Sequence, residues 1–386
     1  MAFWKMLCRL LAVLAAAAFL SCSGDDAPDE AVPNEQTIVM FYPWSGNLTA
    51  NFRRNVRDMS QWVSAGRLDR ERIVVCMATS ATQACMYELK NDHGQCVADT
   101  LRRYSSTALS TRQGMVAMLA DVRQAAPATR YGMIVGGHGL AWVPSQAASL
   151  LMRRRAGAAP ATRYFGGLTA AWQIDVETFA AALADASLPL EFILFDVCNM
   201  SAVEVAYELR HATSYLVACP AEIMAYGFPY AQCGQYLIGQ PRYGELIDSF
   251  HTFCLNYSAP YATAAVVDCR QMDALADMVR QINASAAALP APDHSVLQPM
   301  DGFTPTLLFD FADYEQRLCS DPSLLSAFQV QMQRTVPYKC HTAFYWSDHD
   351  GKALPINHYS GLTTSEPSVS IYAASYRQTS WYRATH

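Results

Sequence analysis

The sequence predicts an α/β fold in three layers, with helices on both faces of a mostly parallel central sheet. Three observations predict it. Unbroken apolar runs such as TIVMFY (37–42), RIVVCMA (72–78), YGMIV (131–135) and EFILF (191–195) read as strands buried on both faces. Segments with apolar residues at helical spacing lie between them, so strand and helix alternate. Hydrophobic residues make up 52% and charged residues 16% of the 386 residues, which excludes a disordered chain.

The first strand leads into a helix at 49–65, with Phe52, Val56, Met59 and Val63 on one face. A short hairpin or edge strand near 84–89 follows the second strand. A helix at 111–126 places Met115, Met118, Leu119 and Val122 together. The strand at 131–135 stops at Gly136-Gly137-His138-Gly139. A helix at 175–186 leads to the strand ending in Asp196-Val197-Cys198, then a helix at 201–211 and a strand at 215–218. Beyond these, 243–256, 271–288 and 323–334 read as helices and 263–268 as a strand. The alternation weakens after about residue 240, so 37–270 reads as the main domain and 271–386 as a C-terminal annex packed on it. The aromatic tail, with Tyr372, Tyr376, Trp381 and Tyr382, reads as core packing.

The first 21 residues read as a signal peptide. Lys5 and Arg9 precede an eleven-residue apolar run, Leu10 to Leu20, too short to span a bilayer. Phe19-Leu20-Ser21-Cys22 resembles a bacterial lipobox, which makes Cys22 the expected lipidation site. The acidic stretch from 22 to 36 reads as a solvated tether. Losing Lys5 and Arg9 with the leader takes the net charge from −6 to −8. An acidic chain gives no electrostatic reason to expect nucleic acid as a partner. The expected location is the cell envelope, as an outer-membrane lipoprotein facing the surface or the periplasm. Of the 12 cysteines, ten lie beyond Cys22, and no CxxC pair suggests a zinc ribbon.

Two strand ends carry chemistry. Cys198 follows an apolar strand and precedes a predicted helix, whose N-terminus would favour thiolate. His138 sits among Gly136, Gly137 and Gly139, which allow close backbone approach and leave the Gly139 N–H free to meet an oxyanion. A thiol and an imidazole on neighbouring strand ends suffice for acyl transfer. From the residues alone, a core cysteine and a turn histidine stay open as the alternative.

Four segments resemble the clostripain family of cysteine peptidases. EFILFDVCNMSAVEVAYELR (191–210) is similar to its catalytic segment and MIVGGHGLAW (133–142) to its histidine segment. YLVACPAEIMAYGFPY (215–230) and IVMFYPWSGNL (38–48) resemble its flanking segments, and Tyr359-Ser360-Gly361-Leu362 a tail motif of secreted members. The resemblance spans roughly 37 to 365. It implies the caspase–haemoglobinase fold and a Cys198–His138 dyad, with the Gly139 and Cys198 N–H groups as oxyanion hole. It implies polypeptide substrates and places Asp196 by the pocket for P1, the residue before the scissile bond. Asp196 would pair with a P1 arginine or lysine there; capping the following helix is its alternative role. Some members cut themselves between His and Cys, and Arg153-Arg154-Arg155 is the matching stretch here.

The chain departs from the family at three places. Leu140-Ala141 replaces two glycines between His138-Gly139 and Trp142 and is expected to narrow or close the groove. Pro43-Trp44-Ser45-Gly46 replaces an acidic turn. Tyr226 stands where relatives carry an acid, with Glu222 nearby as a substitute. Calcium dependence occurs in the family, but no EF-hand loop is present and no residues are assigned to a metal. Ser347-Asp348-His349-Asp350 reads as a polar turn, with a cation site as the alternative. The expected function is a cysteine endopeptidase. The alternative is a non-catalytic binding lipoprotein that keeps the peptidase fold.

Overall fold

A computed structural model describes residues 34–145, 165–286, 292–366 and 372–386. The leader, Cys22 and Arg153 to Arg155 lie outside the described residues. β1 (Asn34–Tyr42) begins three residues before the expected strand. Its side chains alternate as a strand's must. Ile38, Met40 and Tyr42 enter one apolar layer, while Val39 and Phe41 enter the other. α1 (Thr49–Ser64) packs on the first layer through Phe52, Val56, Met59 and Val63. Each such side chain contributes roughly 1.5–3 kcal/mol by leaving water.

β2 (Glu71–Ala78) runs parallel to β1. β3 (Gln83–Asp92) and β4 (Gln95–Ser105) extend that edge as an antiparallel hairpin. β4 is mostly exposed and has no apolar run, so the sequence reading stopped short of it. α2 (Arg112–Ala125) starts at Thr111, whose hydroxyl accepts the Gly114 N–H at 3.1 Å. Its Met115, Met118, Leu119 and Val122 cover the second face. β5 (Ala128–Gly136) pairs with the other side of β1. The chain thus reverses its direction of travel between β1 and β5, and a crevice opens beyond their carboxyl ends.

A small ribbon, β6 (Phe165–Gly166) and β7 (Gln173–Ile174), precedes α3 (Val176–Ala186). β8 (Leu190–Asp196) pairs in parallel with β5, and β9 (Thr213–Ala218) with β8, with α4 (Val203–Leu209) between them. α5 (Tyr230–Cys233) and α6 (Tyr243–Leu255) join α1 on the first face. β10 (Thr263–Asp268) lies antiparallel to β9, and α7 (Met272–Ala286) covers the second face.

The last hundred residues do more than cover the sheet. After β11 (Phe309–Asp310), α8 (Phe311–Leu318) and α9 (Pro322–Thr335), β12 (Tyr338–His341) pairs with β10. It completes a nine-stranded sheet in the order β12-β10-β9-β8-β5-β1-β2-β3-β4. A hairpin follows, β13 (Phe344–Ser347) and β14 (Lys352–Pro355), and then β15 (Thr363–Thr364), which pairs with β11. α10 (Ala373–Tyr376) and α11 (Ser380–Thr385) carry the aromatic tail into the core. Trp381 meets the rings of Tyr207 and Phe311 edge-on. The result is the three-layer α/β fold expected. All ten described cysteines are free thiols, and among the described residues no helix is long and apolar enough to cross a membrane.

Candidate active site

His138 stands just past β5, in backbone that only glycines permit. A Cβ on Gly136 would lie 2.5 Å from the Tyr42 ring, and one on Gly137 would lie 2.9 Å from the Gly166 nitrogen. The close approach lets His138 and Gly166 exchange two backbone hydrogen bonds of 2.9 Å, which fixes the histidine's main chain. The ring is fixed separately. Trp44 packs against it at 5.3 Å between ring centres, and the Asn47 Oδ1 lies 3.1 Å from Nε2. An amide oxygen can only accept, so Nε2 carries the proton and Nδ1 is left as the base. Burial lowers the imidazole to about 4, with Asp348 pulling weakly the other way. The Pro43–Gly46 departure thus supplies the wall behind the histidine.

Cys198 lies in a turn after β8, half-buried, with Sγ 3.7 Å from the Ile223 carbonyl oxygen. The expected helix N-terminus is not there. The Asn199 and Ser201 N–H groups bond to the Ala221 and Cys219 carbonyls, which holds 199–202 outside the helix, and α4 begins only at Val203. The thiol is instead pushed up to about 12, first by burial and then by the nearby acids Glu222, Asp196 and Asp348. Burial thus favours the neutral form of both the His138 imidazole and the Cys198 thiol.

The turn does keep two donors available. Among the described residues, neither the Gly139 nor the Cys198 backbone N–H has a hydrogen-bond acceptor. Gly139 is pressed on the Cys198 turn, since a Cβ there would lie 2.8 Å from the Cys198 carbonyl oxygen.

Asp196 is nearly buried beneath the same crevice. It accepts from Asn55 Nδ2 at 2.9 Å, the Phe228 N–H at 3.1 Å and the Tyr230 hydroxyl at 3.2 Å. Burial still outweighs these bonds and lifts it to about 7. Helix capping is excluded as its role, because the N-cap of α4 is Ala202 and no side chain bonds there. Glu222 accepts the Asp348 N–H at 2.9 Å and is likewise raised to about 7 by burial.

His138, Gly139, Cys198, Asp196 and Glu222 all line one cavity of about 410 Å³ at the carboxyl ends of the strands. α1 contributes Asn51, Phe52 and Asn55, and the turn before it Asn47. Phe303 and the β13–β14 hairpin, with Trp346, Asp348 and His349, contribute the far wall. The sequence reading missed these residues. An Asn-x₃-Asn-x₃-Asn spacing at 47, 51 and 55 puts three amides on one helical face, and that was the available signal.

The other departures from the family pattern face inward. Leu140, Ala141 and Trp142 are buried in the core and do not line the cavity. Trp142 Nε1 donates to Ser365 Oγ at 2.8 Å. The groove is therefore not narrowed by them. Tyr226 packs on Phe253 and Tyr257, away from the cavity.

The model of the clostripain family, Peptidase_C11, matches residues 47–290, well over half of the chain. The chain belongs to the clostripain family. A secreted C11 cysteine protease from Bacteroides thetaiotaomicron, "iotapain", is 42% identical over 92% of this chain and all of its own, with a TM-score of 0.86. A clostripain from the same organism, in complex with the peptide inhibitor BTN-VLTK-AOMK, is 44% identical over 58% of this chain and 99% of its own, with a TM-score of 0.56. An inactive zymogen C11 protease from Parabacteroides distasonis shares the fold, with 24% identity and a TM-score of 0.76 over 92% of this chain and 99% of its own. No curated protein matches the chain. This clostripain-family chain is thus a cysteine protease of the caspase-like fold.

A calcium ion takes six to eight oxygens, and no group of three or more His, Cys, Asp or Glu residues among those described has the geometry to hold a metal. Two acids near the hairpin have partners of their own. Asp301 receives the N–H groups of Phe303, Leu307 and Leu308, and Asp350 pairs with Lys352 at 3.3 Å.

Proposed function

We propose that the chain is an endopeptidase that cuts after basic residues, with Cys198 as nucleophile and His138 as general base and acid. The observation that carries this reading is the arrangement at one cavity of a thiol, an oriented imidazole and two unpaired N–H groups. On substrate binding the Cys198 proton passes to His138 Nδ1, and sulfur bonds to the scissile carbonyl carbon. The Gly139 and Cys198 N–H groups receive the oxyanion. His138 then protonates the leaving amine as the C–N bond breaks, leaving a thioester on Cys198. Water, deprotonated by His138, releases the acid and regenerates the thiol. Asn47 is a positioning residue that holds the tautomer.

Asp196 in the cavity supports a basic P1 residue. A cation beside it would favour its ionised form and gain a charge-assisted bond in return. Glu222 adds a second acid to the same cavity. The inhibitor captured by the 44%-identical clostripain has a peptide ending in lysine, which supports the same preference. The Arg153-Arg154-Arg155 run supplies a matching self-cleavage sequence, and the leader with Cys22 supports an envelope-anchored lipoprotein.

The test compares the full chain with Cys198→Ala. Intact mass is expected to show a cut next to Arg153, Arg154 or Arg155 in the parent alone. A mixed peptide library is expected to be cut after Lys or Arg. Library cleavage at other residues would keep the peptidase and remove the role of Asp196. A matching mass in both proteins, with no library cleavage, would sink the reading.

A further inference from the structure

Helix α1 makes two contacts beside the cavity that the peptidase mechanism leaves unused. Asn51 Nδ2 donates to the Ala225 carbonyl, and Arg54 Nη2 donates to the Tyr226 carbonyl. Both carbonyls belong to one turn, which the Gly227 N–H closes on the Met224 carbonyl at 2.8 Å. Met224, Ala225 and Gly227 line the cavity, so the turn is part of its wall. Arg54 itself does not line the cavity and reaches it only through the turn. On the outer side the Tyr226 ring packs on Phe253 and Tyr257.

The same turn holds Asp196. Phe228, the residue after it, gives its N–H to Asp196 Oδ1 at 3.1 Å. Gly227, at φ +67°, lies so close that a Cβ there would fall 2.4 Å from that oxygen. Moving the turn by about one ångström would break the Phe228 bond. Arg54 therefore bears on Asp196 in two opposed ways. As a nearby cation it favours the carboxylate and would compete with a basic P1 side chain. As a pin on the turn it keeps the carboxylate in place for one. The Phe228 N–H favours the ionised carboxylate more than the Arg54 charge does. Holding the turn is thus the larger effect.

We infer that Arg54, with Asn51, is a positioning residue for P1 recognition: it pins the 224–227 turn to α1, and the pinned turn holds Asp196 where a basic side chain meets it. This rests on the basic-P1 reading of the same site. A guanidinium stays charged at any working pH, so its bond to a carbonyl is a charge-assisted one throughout. Neither Arg54 nor Asn51 bonds to His138 or Cys198, whose partners are Asn47 and the Ile223 carbonyl. The effect therefore falls on substrate binding, and a loss of uniform binding raises KM while kcat holds.

The test uses the full chain and peptidyl acyloxymethylketones that differ only at P1, carrying lysine or norleucine. Labelling of Cys198 is followed by intact mass, with kcat and KM on matching substrates. The parent is expected to label faster with lysine. Arg54→Ala is expected to raise KM for lysine about tenfold, the worth of one hydrogen bond to a charged group, with norleucine far less affected. Arg54→Lys keeps a charged donor and is expected to recover part of that loss. Asn51→Leu removes the other pin with no change of charge and is expected to move KM in the same direction. Both residues are partly exposed and both replacements suit a helix, so the variants are expected to fold, which thermal unfolding checks. A lower KM for lysine in Arg54→Ala would overturn the inference, because the charge would then only compete with the substrate. So would an equal loss for both probes, which would mean that Arg54 supports the whole site alike. If norleucine labels the parent as fast as lysine, the basic-P1 reading itself fails. If lysine leads in the parent and keeps its full lead in Arg54→Ala and Asn51→Leu, that reading stands and the two pins lose their role.

Discussion

Gly136 pairs with Asp196 across the parallel strands β5 and β8, and His138 and Cys198 each follow that pair by two residues. The placement of His138 and Cys198 is therefore set by strand register. Parallel strands release their ends at the same level, so one register pair brings the imidazole and the thiol to one rim.

That register leaves no space for a side chain at 139, where a Cβ would lie 2.3 Å from Val197 Cγ1 as well as against the Cys198 carbonyl. Gly139→Ala keeps the N–H but pushes it out of place, and is expected to lower kcat by about 10²–10³, the cost of misplacing one oxyanion donor, with KM nearly unchanged. Steady-state kinetics on a fluorogenic peptide measures both. A rise in KM alone would remove Gly139 from the oxyanion hole.

The neutral resting dyad predicts a slow free thiol. With Cys198 near 12 and His138 near 4, iodoacetamide should react slowly at neutral pH. Its rate should climb by about tenfold per pH unit from 7 to 9 as thiolate appears. A fast, pH-independent rate between 6 and 8 would instead reveal a preformed ion pair.

A second pH effect lies far from chemistry. Glu315 is buried, its Oε2 has no partner among the described residues, and burial raises it from 4.5 to about 8. The folded state holds this proton more tightly than the unfolded state. The contribution to stability is therefore complete below pH 4.5 and is lost as pH rises through 8. Glu315→Gln should leave Tm nearly unchanged at pH 4.5 and raise it by several degrees at pH 8.5. Thermal unfolding at the two pH values decides it, and an equal shift at both would point to packing instead.

Trp142 tests the reassignment of the segment after the histidine. It is 4% exposed, bonds to Ser365 and meets Tyr376 edge-on at 5.0 Å. Trp142→Ala is expected to cost about 3–5 kcal/mol in denaturant unfolding. The P1 profile of the folded protein should not change. A changed profile would return Trp142 to the groove.

The sequence carried the parallel core because β1, β2, β5 and β8 are unbroken apolar runs. It missed β4, an edge strand that is largely exposed and carries little apolar signal. The dyad was legible because each member directly follows such a run. Cys198 looked like a helix start because the helical spacing of α4 comes so soon after it. Only the hydrogen bonds to Cys219 and Ala221 show that the chain leaves the strand differently. Asn55 and Trp346 were hidden for a third reason. Asn55 faces Asp196 from a residue 141 positions away, and no local pattern reports a contact at that range.

The hairpin wall also has a consequence in time. Trp346, Asp348 and His349 close the cavity from the far end of the chain, long after Cys198 has been synthesised. A chain that has not yet reached this hairpin holds His138 and Cys198 without that wall. Labelling of Cys198 by a peptide probe is expected to wait until residue 349 of 386 joins the fold. Ribosome-arrested chains ending before Ala343 should not label with the lysine probe, and rapid labelling of such chains would refute this delay.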